Sequence, residues 1–249
     1  GWVNRDIIEW FGEYTDVCTK AYGDKVKNWM VLNEPVAFTV LGYLLGIHAP
    51  GKRGFHNLYP AIHHAAMCQA EGGRIIRKNV ANANVGTTFS CSHVQPLYQK
   101  EKHIRTANKL DALINRLYIE PSLGMGYPAD GWKALENIYN YAKQGDAEKL
   151  QFDFDFIGIQ NYTRMIARHA LHIPVLWGAQ VSPLKRGVQT TDMGWEVYPE
   201  GVYEMLKKFA AYKGVNKIII TENGAAFPDI PVKNRIHDPE RIEYYKSYL

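Results

Sequence analysis

Two glutamates, Glu34 and Glu222, each stand directly after a short apolar run. Trp29-Met30-Val31-Leu32 leads through Asn33 to Glu34, and residues 217–221 lead to Glu222-Asn223. A third run, 154–160, ends in Asn161-Tyr162. A pair of carboxyl groups suits cleavage of a glycosidic bond. One stays protonated and gives its proton to the leaving oxygen; the other is ionised and attacks the anomeric carbon. Retention of configuration needs them about 5–5.5 Å apart. An asparagine before the first carboxyl can hydrogen-bond a sugar hydroxyl, and a tyrosine can hold the second carboxylate. Burying two carboxyls side by side also separates their pKa values, which the two roles require.

The elements that must position these residues are legible as a repeating unit. Ile7, Phe11, Tyr14, Cys18 and Ala21 recur at spacings of four and three, which predicts an amphipathic helix over 4–22. Gly23 stands where a left-handed helix end is easiest. The unbroken run at 29–32 predicts a strand buried on both faces. The unit recurs as helix 57–78 with strand 85–89, helix 106–118 with strand 154–160, and helix 199–212 with strand 217–221. Asp238-Pro239-Glu240 opens a last helix, with a capping carboxylate and a proline in the first turn. Strands alternating with helices imply parallel pairing and an α/β (β/α)8 TIM barrel. Polar groups at strand ends then converge on the C-terminal face of that barrel. Residues 163–195 are expected to form an irregular loop above it.

Composition excludes other classes. Of 249 residues, 46% are hydrophobic and 22% charged, the profile of a globular chain with a large core. The formal charge of +4 is scattered rather than striped, so no nucleic-acid partner is expected. No apolar run reaches the ~18 residues of a membrane span, and the N-terminus has no signal-peptide pattern. Three distant cysteines, Cys18, Cys68 and Cys91, suggest neither disulfides nor a zinc site. A cytoplasmic location is the expectation.

At this point the motifs resemble those of glycoside hydrolase family 1. Asn33-Glu34-Pro35 resembles the family's acid/base signature, and Ile220-Thr221-Glu222-Asn223-Gly224 its nucleophile signature. Between them Gly46-Ile47-His48-Ala49-Pro50-Gly51, His63-His64, Phe156 to Tyr162 and Gly194-Trp195-Glu196-Val197-Tyr198-Pro199-Glu200-Gly201 follow in the family's order. The resemblance implies a retaining β-glycosidase, similar to β-glucosidases, with a β-glycoside as its small-molecule partner. Glu34 would be the acid/base and Glu222 the nucleophile of a covalent glycosyl-enzyme. Asn33 would contact the sugar 2-hydroxyl, Tyr162 would bond Glu222, and Asn161 and Trp195 would line the sugar subsite. No metal or organic cofactor is implied.

The sequence also departs from the family. Val36 stands where many members carry a tryptophan that stacks on the leaving group. The resemblance covers about strands four to seven with their helices, so residues 1–249 are expected to be one barrel segment incomplete at both ends. The missing part of the same barrel would then be a partner. Two other readings stay open: a 6-phospho-β-glycosidase, and a truncated, non-catalytic carbohydrate-binding protein on the same fold. Several residues need no function: Trp29, Phe156 and Tyr203 suit core positions, His93 suits packing, and Cys91 suits a small core site.

Overall fold

A computed structural model describes residues 1–173 and 175–249. In chain order it contains α1 (Ile7–Tyr22), β1 (Asn28–Asn33), α2 (Phe55–Asn79), β2 (Asn84–Ser90), β3 (His93–Pro96), α3 (Glu101–Asp111) and α4 (Ile119–Ser122). There follow α5 (Asp146–Lys149), β4 (Phe156–Gln160), β5 (Arg164–His169), β6 (Gly178–Gln180), α6 (Pro183–Arg186), α7 (Glu200–Ala210), β7 (Ile218–Glu222), β8 (Pro231–Val232), β9 (Arg235–Ile236) and α8 (Pro239–Tyr248).

Strands β1, β2, β4 and β7 lie side by side in that order, and every pairing is parallel. Each return runs through helical segments, so the four strands form an arc of barrel wall with helices outside it. Alternation along the strands divides the two faces. Val85, Phe89, Ile157 and Ile159 point outward into the main core, which also holds Ile62, Ala66 and Phe209. On the other face the side chains of Thr88 and Thr221 share a hydrogen bond of 2.6 Å. Gly158 lies between them; a Cβ there would sit 2.7 Å from Thr88 and 2.8 Å from Thr221.

The inner strand β4 is buried along its whole length, as an apolar run predicts. The outer strands are not. Met30 is 52% exposed and Ile220 is half open as well, because β1 and β7 are each paired on one side only among the described residues. An apolar run alone cannot distinguish an inner strand from an outer one.

Five further expectations are corrected. In α1 the buried positions are Gly12, Thr15 and Thr19, while Tyr14 is exposed. The threonine hydroxyls bond the carbonyls of Phe11 and Thr15, which satisfies them against α2. Gly23 keeps a right-handed backbone; it is small because a Cβ would lie 2.5 Å from the Thr19 carbonyl. The stretch 163–195 is not all loop: within it β5 and β6 join β3 in a second sheet of order β3-β5-β6, packed against α3. The charged ends of β5 obscured its pattern. Tyr203 lies on the surface of α7, with Lys207 over its ring. Asp238 precedes α8 without a side-chain cap and pairs with Arg241 instead.

Candidate active site

The first carboxyl is set by its backbone. Glu34 follows β1 directly; its N–H donates to the Thr88 carbonyl at 3.1 Å and its carbonyl accepts from Ala37 at 2.9 Å. Its φ of 47° is left-handed, a conformation uncommon outside glycine and one that marks a position held by its surroundings. The side chain is half-buried. Burial raises its carboxyl above the ordinary range; the Ser90 hydroxyl opposes that, and the charge of Glu222 adds to it.

The second carboxyl ends β7 and is held at both oxygens. The Tyr162 hydroxyl donates to Oε2 at 2.5 Å, and the Gln160 carboxamide nitrogen donates to Oε1 at 2.6 Å. Burial and the bond to Glu222 push the Tyr162 phenol upward, so it remains a donor at neutral pH. The same Gln160 nitrogen reaches Oδ1 of Asn33 at 2.7 Å. Asn33, Gln160, Glu222 and Tyr162 are therefore one hydrogen-bonded chain across the ends of β1, β4 and β7. Trp195 lies against this chain, its ring 5.4 Å from that of Tyr162 and tilted by 49°.

Asn161 is not brought to the carboxylates. It is 1% exposed, and its carboxamide nitrogen donates to the carbonyls of Cys91 and Thr163. Its role is to tie the ends of β2 and β4 together. Gln160 is the functional residue that sequence reasoning missed. The signal was parity: on an extended strand, residues 158, 160 and 162 share a face, and 161 points the other way. Ser90 escaped for the same reason, being the polar last residue of β2. Cys91 is buried and free, donating weakly to the Gln160 carbonyl. His93 stacks on Tyr198.

Among the described residues no group of three or more His, Cys, Asp or Glu could hold a metal ion. Nor is any helix among them long and apolar enough to cross a membrane.

The profile of Glycosyl hydrolase family 1 matches residues 1–249. The chain belongs to glycosyl hydrolase family 1.

Among its relatives in the family, "Beta-glucosidase A" of Thermotoga maritima is 34% identical over all of this chain and 55% of its own length. The "1,4-beta-D-glucan glucohydrolase" of Thermotoga neapolitana is 32% identical over all of this chain and 58% of its own. A "6-phospho-beta-galactosidase" of Lacticaseibacillus rhamnosus is 25% identical. The T. maritima enzyme solved with a cyclophellitol analogue superposes with a TM-score of 0.91 at 33% identity, over all of this chain and 55% of that one. The AHE enzyme of Alicyclobacillus herbarius gives 0.94 at 29% identity, over the same shares. This family 1 chain thus spans little more than half the length of the relatives it matches, and its four-stranded arc is part of their barrel.

Proposed function

We propose that this chain carries the catalytic pair of a retaining β-glycosidase acting on β-glucosides. The observation that carries the reading is the unequal setting of the two carboxyls. Glu34 is raised by burial and poised to hold a proton. Glu222 accepts two short hydrogen bonds that suit an ionised group.

In the first step the Glu222 carboxylate attacks the anomeric carbon while Glu34 gives its proton to the departing oxygen. In the second, the ionised Glu34 takes a proton from water, whose oxygen attacks the anomeric carbon and releases Glu222. Asn33 has its Oδ1 committed to Gln160, which leaves its amide N–H groups for the sugar 2-hydroxyl. Trp195 and Tyr162 form one wall of the sugar site. The β-glucosidase reading is favoured over the 6-phospho reading by the higher identity of the β-glucosidase relatives. The difference between the two carboxyl environments has no use in a protein that only binds sugar.

The test is hydrolysis of an aryl β-glucoside by the whole polypeptide in which these residues occur, with the product anomer followed by proton NMR. The β-anomer should form first. Glu222→Gln should abolish turnover, because an amide cannot form the glycosyl-enzyme. Glu34→Gln should slow poor leaving groups far more than activated ones; equal losses would remove Glu34 from the acid role.

A further inference from the structure

Next to Trp195 in the chain stands a third carboxylate, Glu196, that the mechanism leaves unused. Glu196 is 3% exposed and accepts hydrogen bonds from two arginines on two different elements. Arg164 of β5 grips it bidentately at 2.8 and 2.9 Å, and Arg186 of α6 bonds the same two oxygens at 2.5 and 3.1 Å. Burial alone would raise the Glu196 carboxyl, but the two guanidinium groups outweigh it and hold the group ionised. Arg164 also lies over the Tyr198 ring, 3.9 Å from its centre, and bonds Gln95 of β3. A buried charge held this completely is a rigid point in the fold.

Its position in the chain gives that rigidity a use. Trp195 precedes Glu196 directly, and Arg164 follows Tyr162 by two residues. The segment 189–197 folds back on itself through bonds from Thr191 to the Trp195 carbonyl and from Val197 to the Gln189 carbonyl. It meets the loop after β7 through one backbone bond, from Asp192 to the Ala226 carbonyl. The segment that presents Trp195 and the strand that follows Tyr162 are thus joined by the Glu196 ion cluster.

Building on the glycosidase reading, we infer that Glu196, through Arg164 and Arg186, is a positioning residue that holds Trp195 against Tyr162 and so fixes the Tyr162 hydroxyl on Glu222. It touches no sugar and no reacting atom. Its effect passes through the tyrosine, and a double-mutant cycle exposes that route.

Glu196→Gln keeps the shape and removes the charge. In the whole protein, at temperatures below its melting transition, it should lower kcat by up to about a hundredfold, the cost of a misplacement near 1 Å, with a smaller change in KM. In a Tyr162→Phe background the same substitution should cost little, since the bond it supports is already gone. Glu196→Asp should restore part of the loss. An equal loss in both backgrounds would mean that the cluster serves only the fold, and would overturn the inference. If Glu196→Gln does not fold, Arg186→Met replaces it in the cycle, because Arg164 still neutralises Glu196 in that variant. A second readout needs no turnover. The Cζ resonance of carbon-13-labelled Tyr162, assigned by Tyr162→Phe, should shift in the Glu196 or Arg186 variant at neutral pH. An unmoved resonance sinks the inference. A wild-type protein without glycosidase activity would overturn the proposed function instead, and the resonance would still decide this point.

Discussion

The carboxamide nitrogen of Gln160 lies 2.6 Å from Oε1 of Glu222, and Gln160 itself is fully buried. That nitrogen is shared with Asn33, so one side chain sets the proposed nucleophile and the proposed 2-hydroxyl ligand relative to each other. Gln160→Leu removes both bonds while keeping the volume. A hydrogen bond to a charged group contributes about 1.5–3 kcal/mol, so kcat/KM should fall about tenfold to a hundredfold. Steady-state kinetics on an aryl β-glucoside checks this; an unchanged kcat/KM would remove Gln160 from the site.

The raised carboxyl of Glu34 sets a pH dependence. It must be protonated to act as the acid, so its upward shift extends activity toward higher pH, and the rate falls as pH rises through its folded value. The basic limb of the kcat/KM profile should vanish in Glu34→Gln with an activated leaving group. The same shift acts on stability. The folded state holds this proton more tightly than the unfolded one, so the contribution is present at low pH and lost as pH rises. Denaturation of wild type and Glu34→Gln across that range should show a wild-type slope that the variant lacks.

In α5, Asp146 is a structural centre. It accepts from Arg5 at 2.6 Å, from the Lys143 N–H at 2.7 Å and from His63 Nε2 at 2.9 Å. Burial works to raise its carboxyl, but the bonds from Arg5, Lys143 and His63 outweigh it and hold the group well below the usual carboxylate range. Burial keeps His63 neutral, with Nδ1 placed to accept from Tyr127 at 2.9 Å. Asp146→Asn leaves Arg5 without its counter-charge and should cost about 3–5 kcal/mol. Because the folded pKa is lowered, this stabilisation exists above the unfolded value and is lost as pH falls. Urea titration at neutral and acid pH measures both effects, and a gap between wild type and variant that does not narrow in acid would refute the assignment.

Gly158 carries the layer beneath the site. A methyl group there meets Thr88 and Thr221 within 3 Å, so Gly158→Ala should destabilise by about 1–3 kcal/mol through overpacking. It should also lower kcat, since Gln160 is two residues further along β4. Retained melting temperature and rate would show that the wall is looser than this packing implies.

Much of this was legible in the residues. Apolar period located the main helices, although in α1 it missed the buried face of Gly12, Thr15 and Thr19 and neither Gly23 nor Asp238 capped as expected, and Asn33-Glu34-Pro35 and Ile220-Thr221-Glu222-Asn223 carried the family. The β5 region was not legible, because the charges of Arg164 and Arg168 broke the apolar pattern. Asn161 was chosen over Gln160 because both are polar and adjacent, and only the strand's direction of pleat separates them.

The sequence by itself determined that Glu34 and Glu222 lie at the ends of parallel strands, since local pattern and motif suffice for that. Only the tertiary structure decided what surrounds them. Gln160 meets Asn33 and Glu222, and Glu196 meets Arg164 and Arg186, through contacts between segments distant in the chain. Those contacts depend on register and crossing geometry, which no local spacing encodes.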